Sequence, residues 1–93
     1  MQIRDIDREP PKIEFPCDYP IKVMGVARRG FQKDVLEIIH RHASPVPAEQ
    51  VTRRDSAQGN YVSVTVVIRA TGEKQLQEIF RELMNHKSVK IVL

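Results

Sequence analysis

Among the 93 residues there is one cysteine, no tryptophan and no apolar run of 18. A lone thiol permits no internal disulfide, which suits a reducing compartment, so a cytoplasmic location is expected. Without a long apolar run no transmembrane helix is expected, and no membrane partner. The opening stretch, MQIRDIDREPPKIE, is charged and has no apolar core, so no secretory signal is expected there. A dense cationic patch is missing too. The net charge is +3, with three cations against four carboxylates in residues 1–14 and the remaining +4 scattered over the body. That balance suits solubility better than dedicated nucleic-acid binding.

What is present is a size and a pattern. A chain this short buries roughly 60–65% of the surface its unfolded form exposes, enough for one compact core but not a deep substrate cavity. Residues 1–14 mix charges, show no apolar period and contain Pro10-Pro11, and read as a flexible tail. A single domain is expected over 15–93. Ile21, Val23 and Gly25 alternate with Lys22 and Met24 at a strand's period, opened by Pro20, whose missing N–H is harmless at a ladder's end. After the loop GVARRG, Phe31, Val35, Ile38, Ile39 and His42 fall on one helical face, until Ser44-Pro45-Val46-Pro47 stops the helix.

EQVTRRD predicts a second strand and SAQGN the turn that reverses it. In YVSVTVVIRA, Val62, Val64, Val66, Ile68 and Ala70 share one face, while Tyr61, Ser63, Thr65, Val67 and Arg69 take the other. Thr71 is the expected N-cap of a helix whose stripe is Leu76, Ile79, Phe80 and Leu83. SVKIVL closes as a fourth strand with Val89, Ile91 and Leu93 on one side. The order β-α-β-β-α-β, with one apolar stripe per helix and one apolar face per strand, predicts an α+β ferredoxin-like domain. Two helices cover one face of a four-stranded antiparallel sheet of order 4-1-3-2.

The segments EFPCDYPIKVMG, GNYVSVTVVIRAT, EKQLQEIFREL and VKIVL resemble, in order and spacing, the YbeD-like family of small bacterial proteins of uncharacterised role. The resemblance runs from about Pro11 to Leu93 and carries no catalytic motif. It implies a cytosolic protein with a fold similar to the ACT regulatory domains, which bind small effectors, often amino acids, and pair through their sheets. It also implies an association with lipoate-related metabolism, since family members often lie near lipoyl-transfer genes. No site residue carries over from the family.

The candidate sites are few. Cys17 has Asp18 beside it, which disfavours thiolate, and no helix start nearby, so it reads as a structural residue in the lead-in to strand one. His40 and His42 are two apart on a helix and point about 200° from each other, so they share no metal ion. His42 and His86 fit instead the negative C-terminal ends of the two helices. No metal or cofactor is expected. The loop from Gly25 to Gly30 is the candidate ligand site. It offers no Ser, Thr or Asp cap, and Arg28 and Arg29 add charge to an end already positive, a setting that attracts carboxylate or phosphate. A small anionic effector is the expected ligand, read against two solvated arginines flanking a flexible glycine.

Two other activities compete. Acylphosphatases share the fold, and Arg29 and Asn60 could be assigned their catalytic parts, but the surrounding loop does not match and Asn60 is explained as a turn residue. Ferredoxin-like sheets that bind RNA stack bases on central-strand aromatics, and here the open face has only Tyr61 at a strand end. That face instead places Met24, Val67 and Val92, with Lys90, where no helix can cover them. One sheet edge carries Arg53, Arg54 and Asp55 as a guard, and the VKIVL edge has a single lysine. A protein partner or a weak homodimer through the sheet or this C-terminal edge strand is the second expectation. The overall reading is a non-enzymatic, ACT-like binding domain.

Overall fold

The computed structural model describes residues 14–93, so all of the expected tail but Glu14 lies outside the described residues. The chain forms β1 (Cys17–Val26), α1 (Phe31–His40), β2 (Val51–Asp55), β3 (Tyr61–Ala70), α2 (Glu73–Met84) and β4 (Val89–Val92), with a 3₁₀ turn at Ala48–Gln50 before β2. Every neighbouring pair is antiparallel in the order β2-β3-β1-β4, the expected 4-1-3-2 read from the opposite edge. Among the described residues no helix is long and apolar enough to cross a membrane.

The long pair β1 and β3 sets the frame, in register from Cys17 opposite Ala70 to Val26 opposite Tyr61. Opposed residues share a face, so Ile21 and Val23 join Val62, Val64, Val66 and Ile68 beneath the helices, none more than 2% exposed. Against them α1 lays Phe31, Val35, Ile38 and Ile39, and α2 lays Leu76, Ile79 and Leu83. Burying a side chain of this size contributes about 1.5–3 kcal/mol, far more than helix caps do. That explains why two helices with no side-chain cap at their starts still form.

Three local features differ from the sequence expectation. β1 begins at Cys17, so Pro20 lies inside the strand. The N–H groups of Lys22 and Val26 point toward β4, bonding the Leu93 and Ser88 carbonyls. By the same alternation the donor missing at Pro20 faces the stretch of β1 that β4 does not flank, where no rung is lost. Second, α2 starts one residue after the position expected, with Gly72 rather than Thr71 at its N-cap. The Gln75 side chain reaches back to accept the N–H of Thr71, the residue before that cap, at 2.8 Å.

The third difference has the most consequence. Val92 lies opposite Val23 and Ile91 opposite Met24, but Gly25 faces Val89, which leaves Lys90 as an extra residue in a β-bulge. The bulge reverses the phase of β4. Val89 stays inside, Val92 turns to the helix side and packs on the core, and Ile91 emerges on the open face. The expectation that Ile91 points in and Val92 out is therefore corrected. Regular alternation was assumed across a strand that contains one irregular step.

Candidate functional site

Two surfaces come out of this frame, the β1–α1 loop and the uncovered side of the sheet. In the loop, Gly25 is fixed by packing. A Cβ there would meet the Ser88 carbonyl oxygen and lie 2.5 Å from the Phe31 ring. Gly30 precedes α1 at φ 83°, in the left-handed region that glycine tolerates, and no side chain caps the helix start. The loop thus has the uncapped helix start expected of it, but Gly25 is closed off rather than open to a ligand.

Arg28, though partly exposed, is held by partners of its own chain. Its Nε donates to Ser88 Oγ at 2.7 Å, its Nη2 to Asp34 Oδ2 at 2.6 Å, and its Nη1 to the Arg29 carbonyl at 2.9 Å. Asp34 is in the first turn of α1, where a carboxylate also suits the helix dipole. His86 closes the network. The Ser88 N–H donates to its Nδ1 at 3.1 Å, which leaves the proton on Nε2, and Nε2 donates to Asp34 Oδ2 at 3.0 Å. The approach of Arg28 Nη2 to His86 Nε2 at 3.2 Å is then a contact between two donors serving one carboxylate. Asp34 is held below the ordinary carboxylate range, first by the His86 hydrogen bond and then by Arg28, with partial desolvation opposing them. The His86 ring also meets Phe31 edge-on, its centroid 6.4 Å away.

The loop therefore carries an internally neutralised tie between α1 and the lead-in to β4. Arg29 and Gly30 remain exposed, and Arg29 forms no ion pair among the described residues. Asn60 holds the loop through its main chain, accepting the Ala27 N–H at 3.0 Å. The histidines separate as expected, His40 accepting the Val46 N–H and His42 meeting Glu82 of α2, which Arg41 also pairs. His42 and His86 both lie beyond the helices whose ends they were expected to cap, since α1 stops at His40 and α2 at Met84. Cys17 is half-buried against the core. Among the described residues no group of three or more His, Cys, Asp or Glu side chains is placed to hold a metal ion.

The uncovered face is read off the register. One row runs Arg54, Ser63, Met24, Ile91 across the four strands. The next runs Thr52, Thr65, Lys22, Leu93, the last pair fixed by reciprocal bonds of 2.8 and 3.0 Å between Lys22 and Leu93. Beyond the first row lie Tyr61 and Val26, and beyond the second Val67 and Pro20. Of the five exposed large apolar side chains among the described residues, four belong to this face: Val26 (36%), Tyr61 (53%), Ile91 (45%) and Leu93 (64%). Of the interface residues named from sequence, Met24 and Val67 are here, Val92 is on the opposite side, and Lys90 is the exposed extra residue of the bulge. A depression of about 270 Å³ opens between Lys22, Met24, Arg54, Tyr61 and Ser63.

Residues 10–93 match the model of the family described as "Protein of unknown function (DUF493)". The chain belongs to the DUF493 family. It is 50% identical to a UPF0250 protein of Ectopseudomonas mendocina, over 96% of this chain and 98% of that one. With a UPF0250 protein of Hahella chejuensis the identity is 43%, over 96% and 98%. These relatives bear out the YbeD-like resemblance. Among solved structures, the solution structure of Helicobacter pylori HP0495 matches with a TM-score of 0.67 at 19% identity, covering 100% of this chain and 98% of that one. The ACT domain of the GTP pyrophosphokinase of Chlorobium tepidum matches with a TM-score of 0.58 at 15% identity, over 83% and 97%. Both likenesses concern the fold, and they make this DUF493 chain ACT-like in architecture.

Sequence reasoning missed Asp34 and Ser88 as partners of Arg28, His86 beside it as the second donor to Asp34, and Val26, Ile91 and Leu93 on the open face. Asp34 had a local signal, an acid in the first helical turn. The other two reach Arg28 from 58 and 60 residues away, which no local pattern reports.

Proposed function

We propose that this protein acts by binding rather than by catalysis, docking a protein partner through the uncovered face of its sheet. The observation that carries this reading is the continuous apolar stripe of Met24, Val26, Tyr61, Ile91 and Leu93 on a side that neither helix covers. Stripes of this kind on a small domain mark association surfaces. The test compares proteins retained from a bacterial lysate by the wild type and by an Ile91→Ser/Leu93→Ser variant. Retained proteins lost with the variant, at unchanged circular dichroism, support docking through this face; an identical set overturns it. A lipoate-handling enzyme is a partner to look for first, from the family's genome neighbourhood.

A second reading has one observation in its favour, the exposed Arg29 beside an uncapped helix start at Gly30. A small carboxylate or phosphate held there would make the domain a metabolite sensor, as its ACT-like architecture suggests. Arg28 is committed to Asp34 and Ser88, so Arg29→Ala is the informative substitution. Under this reading, amino acids or inorganic phosphate raise the thermal midpoint of the wild type, since a ligand of the native state stabilises it, and not that of the variant. A midpoint unmoved by any of them removes the sensor and leaves the docking reading in place.

A further inference from the structure

The charges around the stripe say what chemistry should cover it. Three cations rise from the open face, Lys22, Arg54 and Arg69, and one carboxylate, Asp18. Asp18 is already engaged by Arg69 at 3.3 Å. Lys22 and Arg54 form no ion pair among the described residues, and both line the depression beside Met24 and Tyr61; Asp55 lines it too, its carboxylate already engaged by Arg53 at 3.1 Å. The adjoining aliphatics continue along the same two rows to Ile91 and Leu93 at the β4 edge. The unpaired cations thus stand among the apolar side chains, Arg54 on the β2 edge and Lys22 on β1 directly beside Leu93.

A second copy of the chain fits poorly. Face-to-face pairing brings two sets of unpaired cations into one interface, with no free carboxylate on either side to meet them. Nucleic acid would satisfy the cations and waste the aliphatics, since Tyr61 alone is available for stacking. An acidic protein surface satisfies both halves.

From this, and resting on the docking reading above, we infer that the open face recognises a protein segment in which carboxylates stand beside aliphatic side chains. The carboxylates meet Lys22 and Arg54 around the depression, and the aliphatic groups cover Met24, Ile91 and Leu93. Opposite charge gives the register and orientation of docking, and the stripe supplies the apolar contact.

The experiment titrates the full chain with two synthetic peptides and follows backbone amide resonances. One peptide alternates Glu with Leu and Val; the other has Lys at every Glu position. The expected result is shifts confined to the residues of the two rows on β1, β2, β3 and β4, with the acidic peptide bound about tenfold tighter, the gain of two exposed ion pairs. A Lys22→Glu/Arg54→Glu variant, its fold checked by circular dichroism, reverses that preference, and raising the salt weakens it. Equal binding of both peptides overturns the inference, as does tighter binding of a random RNA oligonucleotide than of the acidic peptide. Sedimentation showing a dimer that Ile91→Ser dissociates, with no peptide preference, puts a second copy on the face. That outcome overturns the acidic partner while keeping the docking surface. Shifts from neither peptide in a protein that stays monomeric remove both.

Discussion

A methyl group at position 25 has nowhere to go. The Ser88 carbonyl closes one side and the Phe31 ring the other, and neither is the yielding end of a flexible side chain. Gly25→Ala is expected to cost about 3 kcal/mol, the upper end for overpacking, read as a lower urea midpoint at unchanged slope. Asp34 sets a pH-dependent term. An unfolded aspartate titrates near about 4, and the folded one is held lower by His86 and Arg28. The stabilisation is therefore complete above about pH 4 and fades as pH falls through the folded value. Wild type should exceed Asp34→Asn in stability at neutral pH, and the gap between their urea midpoints should close as pH falls below about 4. A gap that stays constant with pH refutes the tie.

At the scale of elements, the phase of β4 makes a sharp prediction. Ile91→Ser should change stability by no more than about 0.5 kcal/mol, because Ile91 is already in water, while Val92→Ser should cost about 1–2 kcal/mol. Regular alternation predicts the reverse order, so the pair of urea midpoints decides between them. This is also where the sequence stopped being legible. The stripes of α1 and α2 and the alternation of β3 could be read because each is a local period with a dozen residues or fewer to satisfy. The bulge at Lys90 could not, since it depends on which residue of β4 meets Gly25, a pairing between the two ends of the domain that no local period reports. The loop was legible in its lack of a cap, and opaque in its charge. Arg28 looked available because its two side-chain partners come from α1 and from the far end of the chain.

For the molecule as a whole, the core is one continuous cluster that draws from β1, α1, β3, α2 and β4. The Arg28 network ties the first βα unit to the last, and the His42–Glu82 and Arg41–Glu82 contacts tie the helices together. No element has a core of its own. Unfolding should be a single transition, with far-ultraviolet circular dichroism and tyrosine fluorescence coincident in urea. Two separated midpoints would show that one half survives without the other.

Pro20 has a consequence for how such a molecule can stick. Along the stretch of β1 that β4 leaves unflanked, an intruding strand would look for a hydrogen at position 20 and find a ring. Beside it, β4 is only four residues long and kinked where Lys90 is squeezed out. Main-chain zippering along that border is thus interrupted twice within a few rungs, which guards against fibrous growth. Attachment is left to the side chains of the broad wall, where it can be selective, reversible and responsive to salt.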